Sequence, residues 1–221
     1  MDNIFGSWFS SSNFSGWKLH TVWDYVFFGL IVLLGVILIV AATKYLSSRR
    51  TPAHANRRTA RRLARLCGGQ TALYLGKSFQ GKNGESMPVD LLWVTSGCVY
   101  TVKVLHFGLT ITGNSSGREW ICADRQETVH CPNPLHELNA QRRFLNRLLS
   151  DEGLRGVNVM PLVVFADNYG EPSFTLTGVD CATTLRKLKK WFKDRPPIEK
   201  GNIDVAAVKD ALTNHQQGEK S

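Results

Sequence analysis

A chain of 221 residues accommodates one ordinary domain and a short further segment, but not two domains with separate cores. Its 27 Lys and Arg stand against 18 Asp and Glu, a net charge of +9, and eight of those nine units lie between Lys44 and Leu66, where no acid occurs. The basicity is therefore a local device. Five cysteines, Cys67, Cys98, Cys122, Cys131 and Cys181, are odd in number and form no Cys-x-x-Cys pair. That excludes a disulfide framework and a zinc ribbon as the sequence signal and leaves free thiols as the simplest reading. His130-Cys131 after Cys122 offers metal-ligand side chains, yet no second pair stands at a zinc-site spacing.

Residues 25–42 run without a charged or strongly polar side chain. As a helix rising about 1.5 Å per residue they span roughly 27 Å, close to the hydrocarbon thickness of a bilayer. A signal peptide has a short basic leader and a small-x-small cleavage site. Here 24 residues containing Trp8, Trp17 and Trp23 precede the run, and Lys-Tyr-Leu-Ser-Ser-Arg-Arg follows it. A membrane anchor over 25–43 is the expectation. Cations crowd its C-terminal flank, so the positive-inside rule predicts a single-pass protein of a bacterial inner (cell) membrane, N-out and C-in, with 44–221 in the cytoplasm. The aromatic leader 1–24 suits the outer interface.

Residues 47–56, polar and containing Pro52, read as a basic linker (44–56). Cations at 57, 58, 61, 62 and 65 with Leu63 and Leu66 on another side predict an amphipathic helix over 57–66, closed by Gly68-Gly69. The period then changes. Strands are predicted over 71–79, 89–95 and 98–105, joined by Lys82-Asn83-Gly84 and Ser96-Gly97 as a meander. Short strands follow at 109–112 and 119–123. Pro132 to Pro134 sets up a helix over 135–149 with a broad leucine stripe, and 157–165 reads as a buried strand. An edge strand at 174–176 and an amphipathic helix over 181–192, ended by Pro196-Pro197, complete a domain over 57–195. The tail, 196–221, has a weak helix near 203–212 and a polar end from 213 expected to be disordered.

The order helix, meander, helix, strand, helix is that of a restriction-endonuclease-like core. The expected fold class is α/β (α+β): an N-terminal transmembrane helix followed by a restriction-endonuclease-like mixed sheet flanked by helices. In such a core the middle strands hold an Asp and then a Glu-x-Lys that bind a divalent metal and activate water. Here Asp90 in Pro88-Val89-Asp90 and Lys103 in Thr101-Val102-Lys103 qualify. Their plainer readings are a turn residue or strand cap for Asp90 and a solvated strand end for Lys103. His106 and Asp167, near strand ends, read as surface polars.

Asp90, Lys103, the segment Gly108-Leu109-Thr110-Ile111-Thr112-Gly113, Trp120 and Asn133-Pro134 follow one another in an order that resembles the nuclease-related domain family across about 71–165. The resemblance implies a PD-(D/E)XK-type nuclease fold, often beside a single transmembrane helix. The chain departs from that pattern at three places. Thr101 stands where the family has Glu, Pro88 where it often has Gln, and the first helix carries arginines where the family begins with Gly-Glu. A Thr hydroxyl is a poor ligand for a hard cation such as Mg²⁺. Metal held at Asp90 alone would be weakly bound, and the candidate replacement acid is Glu137, where family members often place Gln.

The loss of two acidic positions implies a catalytically degenerate, membrane-anchored domain that binds nucleic acid or partner proteins at the cytoplasmic face. Arg57, Arg58, Arg61, Arg62 and Arg65 are the expected surface for DNA or RNA phosphates or for membrane lipid, with Arg142, Arg143 and Arg147 elsewhere. The alternatives are an active metal-dependent nuclease at the membrane, using Asp90, Lys103 and Glu137 with Mg²⁺, and a structural subunit of a DNA-transfer or envelope complex that contacts other membrane-complex proteins. No small-molecule cofactor is expected.

Overall fold

Apolar side chains on every side of one helix, then alternating apolar residues over three strands, set the organisation of the chain. The structure, a computed structural model, describes residues 22–48, 51–66, 71–106, 109–123, 127–166, 171–194 and 203–216, without the side chains of 22–25, 27 and 45–48. The aromatic leader up to 21, Arg49, Arg50, Cys67, Gly68-Gly69, Gly108, Asp167, Pro196-Pro197 and the polar end from 217 lie outside the described residues. The chain forms two units, Met1–Ser47 and Ser48–Ser221.

In the first unit, helix α1 (Val22–Ser48) runs for 27 residues. Its described large apolar side chains, from Val26 to Val40, are all exposed. Tyr25 and Phe27 of the expected span have undescribed side chains, and among the described residues no helix is long and apolar enough to cross a membrane.

The second unit begins with helix α2 (Pro52–Ala64), capped by Thr51, whose hydroxyl accepts from the His54 amide, with Pro52 at the first helical position. The helix therefore starts inside the segment expected to be a linker. It buries Ala55, Thr59 and Leu63 and leaves its arginines outside. Strands β1 (Ala72–Gln80), β2 (Ser86–Val94) and β3 (Val99–Leu105) form the expected antiparallel meander. β4 (Thr110–Asn114), β5 (Glu119–Ala123) and β6 (Thr128–Pro132) form a second one. β6 was not expected, because its one buried side chain, Cys131, gives no alternation to read.

Helix α3 (Pro134–Asp151) leads into β7 (Val159–Phe165) and β8 (Ser173–Thr177). The helix expected over 181–192 is instead β9 (Ala182–Thr184) followed by the short α4 (Leu188–Asp194). Thr183 and Thr184 are β-branched and buried, and β9 pairs in parallel with β7. Helix α5 (Val205–Asn214) closes the unit.

The strands make two mixed sheets, β1-β2-β3-β7-β9 and β6-β5-β4-β8. On one face of the larger sheet, α3 and α5 pack over Val99, Leu92 and Val159, and the smaller sheet packs beside them over Leu105, Val163 and Phe165. On the other face, α2 and the start of α4 cover Leu91, Trp93, Val102 and Val164. α5 belongs to this core. Its Val208 and Leu212 are fully buried, worth about 1.5–3 kcal/mol each, so the domain continues past residue 195, where the sequence reading ended it. Nor is 213–216 a free end: the Gln80 amide donates to the His215 carbonyl at 2.8 Å and Gln216 bridges to Phe79.

Candidate active site

β2 and β3 pair Leu91 with Val102 and Leu92 with Thr101, so one further step sets Asp90 opposite Lys103. Alternation along the strands turns both side chains to the face that α3 covers. There the Lys103 Nζ lies 2.7 Å from Asp90 Oδ2 and 2.9 Å from Glu137 Oε2. Asp90 and Glu137 keep 42% and 45% of their side-chain surface exposed, and Lys103 25%. Glu137, the candidate replacement acid, thus stands beside Lys103 together with Asp90, on α3 and not on the strand that carries Thr101.

Thr101 cannot serve there. It is fully buried, its hydroxyl 3.5 Å from the Met160 carbonyl, at the outer limit of a hydrogen bond. Thr101→Val removes a weakly satisfied hydroxyl without changing shape and should alter stability by under about 1 kcal/mol. A thermal melt checks this, and a loss of several degrees would assign Thr101 a structural bond of real strength.

Two features position Glu137, and a third stands opposite Asp90. The Gln141 amide, buried one turn along α3, donates to Glu137 Oε1 at 3.2 Å and to the Pro88 carbonyl at 3.0 Å, tying helix to strand. Asn133 caps α3 by accepting from the Leu135 amide at 3.0 Å. Its own amide donates to the Asn114, Ser115 and Gly117 carbonyls at the β4–β5 turn. That turn is fixed in its turn by Trp120, whose indole donates to the Asn114 carbonyl at 3.0 Å and whose ring lies where a Cβ on Gly113 would stand. The motif residues Gly113, Trp120 and Asn133 therefore aim the first turn of α3, and with it Glu137, at Lys103. Last, Gly76 interrupts the β1 ladder between Leu75↔Leu91 and Lys77↔Val89, opposite Asp90. It has φ 58° and open space beside it, a backbone that glycine adopts readily.

Burial works to lower the Lys103 pKa, but hydrogen bonds and charge from Asp90 and Glu137 outweigh it and hold the ammonium above the ordinary lysine value. A raised folded pKa gives stability that is complete below the unfolded value of about 10.4 and is lost only as pH climbs through the higher folded value. NMR of the Lys103 side chain should show no titration between pH 7 and 10. A midpoint near 8 would contradict the two ion pairs.

Two carboxylates from separate elements, half exposed and within 3 Å of one nitrogen, suit a hard cation. Mg²⁺ is usually held by one or two carboxylates, waters and phosphate oxygens. Asp90 and Glu137 would hold it. Among the described residues no group of three or more His, Cys, Asp and Glu side chains gathers, here or elsewhere. His130 meets Glu119 at 3.3 Å and forms no part of such a group with Cys122 and Cys131. Those two thiols lie 2.8 Å apart, and burial pushes that of Cys122 up. His106 is partly buried, which lowers its pKa.

Arg57, Arg58, Arg61, Arg62 and Arg65 are exposed on α2. They stand on the opposite face of the sheet from Asp90, Lys103 and Glu137, while Arg142 and Arg143 are exposed on α3 itself. Arg147 pairs with Glu85 at 3.0 Å. Sequence reasoning missed Gln141 and Gly76. A polar residue inside the leucine stripe of α3 was the available signal for the first; a lone glycine inside a strand was the signal for the second.

No curated protein and no solved structure matches the chain. The model of the nuclease-related domain matches residues 51–166, which takes in α2, the meander that carries Asp90 and Lys103, the Gly113–Trp120–Asn133 scaffold, α3 with Glu137 and Gln141, and β7. With more than half its length in that match, the chain belongs to the nuclease-related domain family.

Proposed function

We propose that the domain cleaves phosphodiester bonds in nucleic acid with the help of a divalent cation, and that α1 holds it in a membrane with residues 44–221 in the cytoplasm. The observation that carries the first part is the convergence of Asp90 and Glu137 on Lys103. A bound Mg²⁺ would polarise a phosphoryl oxygen and lower the pKa of a water. Lys103, kept protonated, opposes the negative charge that grows on the phosphoryl group in the transition state. Gln141 restrains Glu137 through its hydrogen bond, and Arg142 and Arg143 offer phosphate contacts on the same helix. The second part is supported by the uncharged run 25–42 within α1, about 27 Å of helix, whose described large apolar side chains are exposed.

The test is incubation of the purified full chain with DNA and RNA in Mg²⁺, Mn²⁺ or EDTA. Metal-dependent cleavage that disappears in Asp90→Ala is expected. Salt-dependent binding without cleavage in either metal would replace this reading with that of a degenerate binding module. For topology, a reporter active only outside the cytoplasm, fused after Ser221, should be silent.

A further inference from the structure

The face of the domain farthest from the carboxylates gathers cations, several of which pair with no described acid. Arg62 and Arg65 of α2 and Lys189 and Lys193 of α4 border an open groove of about 600 Å³ with Leu66 and Phe192. Beside it a second hollow of about 230 Å³ is lined by Arg58, Arg61, Arg62, Arg65, Leu185 and Arg186. Among the described residues Arg61, Arg62, Arg65, Lys189 and Lys193 make no ion pair. Like charges gathered this closely repel one another unless an outside anion joins them.

We infer that this α2–α4 face is a docking surface for anionic phospholipid headgroups, which seats the domain on the bilayer with its carboxylate face turned away. Three observations select a lipid surface over a nucleic acid. The arginines and the Asp90–Lys103–Glu137 group lie on opposite faces of the sheet, so a strand held at one does not lie across the other. The groove mixes cations with partly buried Leu66 and Phe192, a composition suited to the boundary between headgroups and acyl chains. Finally, α2 begins at Pro52, four residues after α1 ends at Ser48, a link that reaches about 14 Å at full extension. This last argument rests on the proposed anchoring by α1; the other two do not.

The experiment uses the full chain in lipid nanodiscs, of phosphatidylcholine alone or with phosphatidylglycerol, read by amide hydrogen exchange. Phosphatidylglycerol should slow exchange in α2 and α4 but not in α3, and high salt should reverse the effect. One cation near an anionic surface is worth roughly a factor of five, so Arg61→Ser with Lys189→Ser should restore exchange by about 25-fold. Identical exchange in the two lipids would overturn the docking surface. Protection of α2 and α4 by duplex DNA, with none from phosphatidylglycerol, would overturn it in favour of a nucleic-acid surface. Resistance of the chain to alkaline extraction from membranes tests anchoring by itself. A chain that is extracted yet still cosediments with phosphatidylglycerol vesicles through Arg61 and Lys189 would sink the anchor and keep the docking surface.

Discussion

Glu137→Gln should slow Mg²⁺-dependent cleavage by roughly 100-fold or more, about 2.7 kcal/mol of transition-state stabilisation, while the fold survives. The amide oxygen still accepts from Lys103 and Gln141, so the loss isolates the charge. All three partners keep a quarter or more of their side-chain surface in solvent, which limits the ion pair to about 1 kcal/mol of stability. Calorimetric titration with Mn²⁺ should show the weakened site directly. Gln141→Leu leaves the carboxylate charged but free to turn, and a smaller loss of roughly 10- to 100-fold is expected, in kcat more than KM. Cleavage by the Glu137→Gln protein at the unmodified rate would remove Glu137 from the site and return Asp90 to standing alone.

Gly113→Ala should cost about 3 kcal/mol of folding stability, the upper end for forcing one extra carbon into a packed core. The new Cβ would stand well inside contact distance of the Trp120 ring, with three of its atoms within 3 Å. That ring is fully buried and held through its indole nitrogen by Asn114, so it cannot swing away. Gly117→Ala is the matched control, since the nearest atoms to its Cβ all belong to the side-chain amide of Asn114, the end of a group that can rotate. A urea titration with unchanged slope and a lower midpoint would register the difference. Because Asn133 leans on the same turn, the Gly113→Ala protein should also lose activity beyond its loss of fold. Equal midpoints for the two variants would show that the β4–β5 turn adjusts freely.

Legibility in the sequence followed the strength of the local pattern. The β1–β3 meander and α3 came from alternation and from a leucine stripe, and Pro132 to Pro134 placed the start of α3 one residue late, at 135 where the helix begins at Pro134. β9 was misread because Leu185, Leu188, Trp191 and Phe192 continue a helical period across threonines whose burial depends on β7, a tertiary fact. α5 looked weak because its buried face is only Val205, Val208, Ala211 and Leu212, and only the groove beside α3 makes that enough. Asp90 and Lys103 were legible through the spacing of the two strands across a tight turn. Whether Glu137 reaches them depends on how far α3 leans over the sheet, which rests on Asn133 and Gln141 and on no short-range signal. For the proposed anchor, the apolar run 25–42 is legible in the sequence, and its described large apolar side chains are exposed.

The pairing of β3 with β7 has a consequence in time. Lys103 lies beside Val163 in parallel register, and a parallel neighbour sixty positions later can dock only after the whole intervening loop has closed. Loops of that length form late, because their entropy is lost before their contacts repay it. A chain leaving the ribosome can therefore complete the β1–β2–β3 meander, and expose Asp90 and Lys103 together, well before β7 is available to hold the sheet and α3 above it. The nascent domain should be inert. In refolding experiments protection of amides in β1 and β2 should precede that of β7, and cleavage of a fluorogenic oligonucleotide should appear with the slower phase. Activity arising with the faster phase would mean that the acids meet before the sheet is whole.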